Sequence, residues 1–249
     1  MRRLLTSALA AAVAGASFAV SPVYVQDWNP PSSGTPVWIN NFNGYLSTLS
    51  QVKLDTTTYN YNVGIYNYQI SYSGPVNVSS PREHFLCVEI DQSRYLNDYE
   101  SKKLNGYVAY FANQIGNVVS MAPGTARLEK SIALALATWD FIYDSNRYAV
   151  GSQYSAGPIS SSELYNGRFQ LVGSFSGVSI TNIENNFVNY VNAALAYNGG
   201  EYIYYHNPKF PMGDNGYSQD LISGVVPGPA AVLPFLLGFG TALRRRRSK

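Results

Sequence analysis

The chain contains very little of what metal sites and disulfide frameworks require. Its 249 residues include one cysteine and two histidines. No intrachain disulfide can form, and no cluster of imidazole and thiolate ligands is available. The sequence also lacks a glycine-rich phosphate loop and the Gly-x-Ser-x-Gly turn of serine hydrolases. We therefore expect no bound metal and no cofactor.

Charged side chains are also scarce, at 13% of the residues, and their distribution removes the apparent basicity of the chain. Seven of the seventeen Lys and Arg residues lie near the two ends, whereas all fifteen acidic residues lie between them. The central part therefore holds ten basic and fifteen acidic side chains, a formal charge of −5. Because binding to nucleic acid needs a basic face, we expect no nucleic-acid partner.

The N-terminus has the pattern of a secretory signal peptide. Two arginines precede an apolar stretch from Leu4 to Ala14, and Ser17 and Ala19 are small residues at the positions that a signal peptidase reads. We expect residues 1–19 to be removed during export. Residues 20–36, rich in Pro and Ser, should form an extended lead-in.

The last residues, 225–249, form a three-part tail. The proline-braced segment Val226, Pro227, Gly228 and Pro229 is followed by an apolar run from Ala230 to Leu243 and then by the basic cluster Arg244, Arg245, Arg246 and Arg247. As a helix, the segment from Val225 to Leu243 would be about 28 Å long, close to the thickness of a bilayer core. The arginines favour a cytoplasmic C-terminus.

This tail resembles the PEP-CTERM sorting signal of exported proteins in Gram-negative bacteria. In that family a Pro-x-Pro motif precedes a membrane helix and an arginine cluster, and a membrane protease, the exosortase, cleaves near the motif. The glutamate in the middle of the family motif is replaced here by Gly228. The resemblance implies a precursor anchored in the inner membrane, a sorting protease as partner, and delivery to the cell surface or the extracellular space.

Residues 37–224 suit a single domain that begins and ends with strands. Alternating apolar residues predict strands over Tyr59–Val78, with a bulge or break near Tyr66 and Asn67. The tyrosine repeat in this segment indicates half-buried strand faces, although a carbohydrate-stacking platform is an alternative. A continuous apolar run predicts a buried strand over Glu83–Asp91. Shorter strands are expected over Phe169–Phe175 and Glu201–His206, and Asn207–Asp220 is expected to be a loop.

Helical spacing of apolar residues predicts three helices within the same domain. They are expected over Asp98–Ile115, Leu128–Tyr143 and Asn182–Tyr197. Thr181 and Glu184 have the spacing of a capping box for the third helix. The predicted fold class is α+β, with sandwich-like or barrel-like strands and a helical insertion.

Cys87, within the segment Phe-Leu-Cys-Val-Glu, and Trp139, within a predicted helix, resemble the motifs of bacterial thioester domains. In that family a Gln four residues before the Trp condenses with the Cys, releasing ammonia and leaving an electrophilic thioester. The corresponding residue here is Ala135, which has no carboxamide, so the resemblance implies a degenerate site. Gln92 would require a strained local loop, and Gln114 lies outside the motif's register.

Three functions remain open at this point. We expect a non-enzymatic structural or adhesive protein whose partner is a surface polysaccharide or a matrix protein, with Cys87 as a small buried side chain. The first alternative is a covalent adhesin in which Cys87 uses an unidentified Gln. The weaker alternative is a secreted hydrolase that uses Cys87. It lacks an evident base, because His84 should point away from Cys87 on a strand and His206 is distant in sequence.

Overall fold

The protein is described here by a computed structural model that covers residues 35–88, 90, 97–144, 159–197, 199–206 and 220–224. The signal peptide, nearly all of the lead-in and the sorting tail lie outside these residues. Within the described ranges, no helix is long and apolar enough to cross a membrane.

The described residues form an α+β structure with seven strands and three α-helices. The strands are β1 (Thr35–Leu54), β2 (Thr57–Ser71), β3 (Arg82–Cys87), β4 (Asn97–Gly106), β5 (Phe169–Leu171), β6 (Gly200–His206) and β7 (Leu221–Gly224). The helices are α1 (Val108–Val119), α2 (Thr125–Tyr143) and α3 (Ile180–Leu195), with a short 3₁₀ helix at Ser161–Tyr165. The strand predicted after residue 168 and the one predicted from residue 201 are both present.

Six of the strands pair into a closed ring, and every pairing is antiparallel. The order around the ring is β1, β2, β3, β7, β6, β4 and back to β1. The first residues of β1 pair with both β2 and β4, whereas its last residues pair with β2 and β5. Closing the ring leaves few strand edges exposed, and it brings residues near 85 beside residues near 222.

The irregularity predicted near Tyr66 and Asn67 lies in the partner strand instead. Strand β2 is continuous from residue 57 to residue 71. Between Asn40 and Leu46, β1 advances six residues while β2 covers only the four steps from Gln69 to Ile65. Residues 63–70 of β2 are buried on both faces. This double burial explains why the apolar alternation in that segment changes phase without a break in the strand.

Helix α2 is the most deeply buried of the three described α-helices, with fourteen of its nineteen residues buried. Its Ser131 hydroxyl accepts a hydrogen bond from the Ile65 N–H at 2.8 Å and donates one to the Leu46 carbonyl at 2.5 Å. Ile65 and Leu46 are paired residues at the irregular part of the β1–β2 ladder. A helix side chain therefore satisfies backbone groups at the point where the two strands lose regular pairing.

The predicted helix over Asp98–Ile115 is wrong in its first half. Residues 97–106 form β4, and α1 begins only at Val108. Leu104 and Val108 have helical spacing in sequence, but β4 pairs along its length with β6 and at its start with β1. Hydrogen bonding to these distant strands overrides the weak local preference for a helix.

The predicted capping box of the third helix is also wrong. The helix begins at Ile180, two residues earlier than predicted, and Ser179 is its N-cap. Thr181 lies inside the helix, and Glu184 accepts a hydrogen bond from the Tyr165 hydroxyl at 2.6 Å. In a capping box the acidic side chain accepts the N–H of the N-cap residue. Here that acceptor comes from another helix, since Glu129 of α2 accepts the Ser179 N–H at 2.8 Å. The buried Glu129 therefore attaches α3 to α2, a contact that local sequence spacing cannot reveal.

We predict that Gly64→Ala strongly destabilises the protein. Gly64 has φ +146°, and a Cβ there would lie 2.0 Å from the Leu46 carbonyl oxygen. The free energy of unfolding should fall by about 2 to 6 kcal/mol, because overpacking and backbone strain each cost roughly 1 to 3 kcal/mol. Urea unfolding of the purified protein measures the change.

Gly116→Ala provides the matched control. Gly116 lies in α1 with open space where its Cβ would be. The same substitution there should stabilise the helix by about 0.5 to 1 kcal/mol. Equal changes in the free energy of unfolding for the two substitutions would contradict the close contact between Gly64 of β2 and Leu46 of β1.

Candidate functional site

Cys87 and Trp139, which carry the resemblance to thioester domains, are in direct contact. Trp139 lies on α2, and its indole Nε1–H donates a hydrogen bond to the Cys87 carbonyl at 2.7 Å. Both side chains are fully buried. Two residues separated by fifty-two positions in sequence are thus joined where β3 ends against α2.

The Cys87 side chain lies among aromatic and backbone groups. The Tyr61 hydroxyl donates to the Cys87 Sγ at 3.4 Å, and the Sγ lies 3.6 Å from the carbonyl oxygen of Asp220, to which its S–H can donate. The Tyr61 ring packs edge-on against Trp139, with 5.2 Å between the ring centroids. These contacts fix the thiol from two sides and leave it buried.

Asp220 links this site to the last strand of the ring. Its carbonyl oxygen also accepts the Val88 N–H at 3.1 Å, and its buried carboxylate accepts a hydrogen bond from the Tyr204 hydroxyl. The thiol therefore lies in a buried position between a hydroxyl donor, Tyr61, and a backbone acceptor, the Asp220 carbonyl. Since the thiolate is the nucleophilic form of cysteine, the surroundings of Cys87 suit a packed thiol better than a reactive one.

The candidate glutamines of a thioester have different positions. Ala135 precedes Trp139 by four residues on α2, so the two lie on the same side of the helix, and Ala135 is buried. Gln114 lies on α1, is half-buried, and accepts a hydrogen bond from the Asn117 side chain at 2.9 Å. Gln92 lies outside the described residues.

The two histidines were candidate bases for a hydrolase. His84 pairs across the ladder with Asn67, and its Nε2 lies 3.1 Å from the Asn67 Nδ2. Cys87 is three residues further along the chain, so its side chain points to the opposite face of β3. The backbone of His206 ends β6, opposite Glu100, and its side chain lies outside the described part of the structure.

The protonation state of His84 follows from its partner. The Asn67 Oδ1 accepts a hydrogen bond from Arg82 at 3.0 Å, which turns the Asn67 NH₂ group toward His84. The His84 Nε2 must then accept, so the ring is neutral. Burial, together with the nearby positive charge of Arg127, lowers the pKa of His84 below its usual 6.5.

Within the described ranges, no group of three or more His, Cys, Asp or Glu side chains could hold a metal ion. The contacts of Cys87 described above include a hydroxyl donor, an indole donor and a carbonyl acceptor. Comparison with protein-family models, with curated proteins and with solved structures found no match to this chain.

Sequence reasoning missed the groups that surround the thiol. Tyr61 lies on a strand that was predicted, but nothing in its spacing marks it as a partner of Cys87. Asp220 is 133 residues away from Cys87 and was expected to end a loop. Strand β7, which follows Asp220, is only four residues long. Its apolar pair Leu221 and Ile222 was the one available signal.

We predict that His84 makes the protein less stable at acidic pH. A histidine with a lowered pKa in the folded state adds stability above the unfolded pKa of about 6.5. That stability is lost as the pH falls through 6.5 toward the lower pKa of the folded state. Urea unfolding midpoints measured from pH 7.5 to pH 5 should fall more steeply for the native chain than for His84→Gln. Parallel curves would contradict a neutral, half-buried His84.

Proposed function

We propose that this protein is exported and acts at the cell surface or in the extracellular matrix as a non-enzymatic structural or adhesive domain. The observation that carries the proposal is the state of Cys87. Its thiol is buried against Tyr61 and the Asp220 carbonyl, and the residue one helical turn before Trp139 is the buried Ala135. A methyl group cannot supply the acyl carbon of a thioester, so binding by this domain is non-covalent.

Delivery rests on the two ends of the chain. The signal peptide, the acidic central body and the tail with its Pro-Gly-Pro segment and arginine cluster support passage across the inner membrane and transient anchoring there. The closed ring of strands supports the barrel-like interpretation of the sheet, with the helices as an insertion between β4 and β6. A sheet without long free edges resists edge-to-edge aggregation, which suits a protein outside the cell.

A covalent adhesin is the second candidate. The contact between the Trp139 indole and the Cys87 carbonyl favours it, since it joins the two residues that resemble the thioester motif. Cys87 would then bond to a Gln other than the residue at position 135. Its thiol would lose a proton and the Gln its amide nitrogen, leaving together as ammonia. Gln92 and other residues outside the described ranges are the available sources.

We predict that export processes the chain at both ends. In a Gram-negative host with an exosortase, the envelope fraction should contain a product that begins after Ala19 and has lost the arginine cluster. Pro227→Ala combined with Pro229→Ala should leave a membrane-bound precursor with the arginines retained. Cell fractionation followed by mass spectrometry of the terminal peptides makes the measurement. A full-length product in the cytoplasm would contradict the proposal.

We also predict that purified protein contains one intact thiol and no thioester. In guanidinium chloride one thiol per chain should react with a chromogenic disulfide reagent, and intact mass should match the encoded sequence after processing. In the native state the reaction should be much slower, because the thiol is buried.

Cys87→Ala serves as the blank for the thiol titration. An intact mass lower than the encoded mass by one ammonia, together with addition of methylamine on treatment, would show a thioester. That result would overturn the non-covalent function in favour of the covalent adhesin. In that case the denatured protein without substitution should show no titratable thiol before amine treatment. The two readouts check each other, because oxidation of the thiol would change the titration without removing ammonia.

A further inference from the structure

A second group of polar side chains lies away from Cys87, at the end of β2. Tyr72, Glu83, Tyr205 and Ser223 come from four separate places along the chain: the residue after β2, and strands β3, β6 and β7. The Tyr205 hydroxyl lies 3.4 Å from the Tyr72 hydroxyl, 3.4 Å from the Glu83 Oε2 and 3.3 Å from the Ser223 Oγ. We call these four residues the Tyr205 cluster.

The cluster runs from the interior of the sheet to the surface. Tyr205 is fully buried and Ser223 is 5% exposed, whereas Glu83 is half-buried and Tyr72 is 50% exposed. The Tyr205 ring packs edge-on against Phe85 with 5.1 Å between centroids, which holds the base of the cluster in place. The cluster therefore has buried hydroxyl groups at its inner end and the exposed Tyr72 ring at its outer end.

The hydrogen bonds within the cluster are long and incomplete. A hydroxyl has one hydrogen to donate, yet the Tyr205 hydroxyl has three oxygen neighbours at 3.3 to 3.4 Å. Bonds between oxygens are commonly near 2.7 to 2.8 Å. In the part of the chain that the structure describes, the Glu83 Oε1 accepts no hydrogen bond. The cluster can therefore still donate to and accept from a ligand that carries hydroxyl groups.

The charges of the four side chains in the cluster limit the kinds of ligand that can bind there. Burial raises the pKa of Tyr72 and of Tyr205, so both stay neutral, and burial likewise raises the pKa of Glu83. The four side chains include no cation and carry at most one negative charge. Phosphate, sulfate and acidic sugars would be repelled by Glu83. A neutral ligand with several hydroxyl groups satisfies the acceptors without an ion pair.

We propose that the Tyr205 cluster binds one sugar residue of a neutral polysaccharide. The apolar face of the sugar ring would lie against the exposed Tyr72 ring, which is a common use of a surface aromatic side chain with a polar end. Its hydroxyls would donate to the Glu83 Oε1 and exchange a hydrogen bond with the Tyr72 hydroxyl, while the buried Tyr205 and Ser223 hold these two side chains in place. This site deepens the adhesive role proposed above and rests on it only for the source of the glycan.

Binding to the purified full chain tests the proposal independently of export. The probes are methyl glycosides of glucose, galactose and mannose and short neutral glucans, observed by saturation-transfer NMR and calorimetry. We expect binding by at least one probe. Tyr72→Ala and Glu83→Gln should each weaken it by about tenfold or more, equivalent to a loss of about 1.4 kcal/mol of binding free energy.

Tyr165→Ala is the matched control. Tyr165 is also an exposed tyrosine hydrogen-bonded to a glutamate, with its hydroxyl 2.6 Å from the Glu184 Oε1, but it lies in the 3₁₀ helix away from the cluster. Its substitution should leave sugar binding unchanged. Tyr72→Phe, which keeps the ring and removes one hydroxyl, should weaken binding less than Tyr72→Ala. Unfolding midpoints of all variants establish that each is folded.

Three results would overturn the proposal. The first is that no neutral sugar binds to a chain that is folded by its unfolding midpoint. The second is that a sugar binds with equal affinity to Tyr72→Ala and Tyr165→Ala. The third is that a cationic probe such as spermidine binds at Glu83 while neutral sugars do not. Failure of export in the fractionation experiment would remove the surface role but would leave each of these outcomes readable.

Discussion

The hydroxyl of Ser131 joins helix α2 to the two longest strands of the sheet, β1 and β2. It accepts from the β2 backbone and donates to the β1 backbone where the ladder between these strands is irregular. The long strand β1 pairs with β4 along its first residues and with β5 along its last, and extra residues in one strand are a common means of bending it. Bending leaves backbone groups without ladder partners. A buried helix that supplies both a donor and an acceptor removes that cost.

The position of α2 follows from this contact and determines the rest of the core. With α2 fixed against β1 and β2, Trp139 reaches the end of β3, and Glu129 receives the start of α3. Asp144, just after the helix, accepts the backbone N–H groups of Arg168 and Phe169 at 2.9 and 3.1 Å and so positions β5. Ser131, Glu129 and the following Asp144 thus connect α2 to neighbouring elements.

The sequence predicted those elements whose structure is determined by residues close together in the chain, and missed those determined by pairing with distant strands. The helical segment of α2 was predictable because it is rich in Ala and Leu, which favour helices. The strand at residues 97–106 was not, since its pairing partners lie at residues 35–39 and 200–206. The same limit applies to the site. Cys87 and Trp139 could be singled out from the sequence and are in contact, whereas Tyr61 and Asp220 are partners only because distant strands meet.

One strand face relates the two polar regions of the molecule. Glu83, Phe85 and Cys87 alternate along β3 and share a face, and their burial increases from the half-exposed carboxylate to the buried thiol. Phe85, packed between the Tyr68 and Tyr205 rings, separates the two ends. A ligand from solvent can reach Glu83 and Tyr72 but would have to displace packed aromatic rings to reach Cys87. The proposed sugar site requires this arrangement, with the solvent-exposed end of the strand face at Glu83 and the packed thiol at the other end.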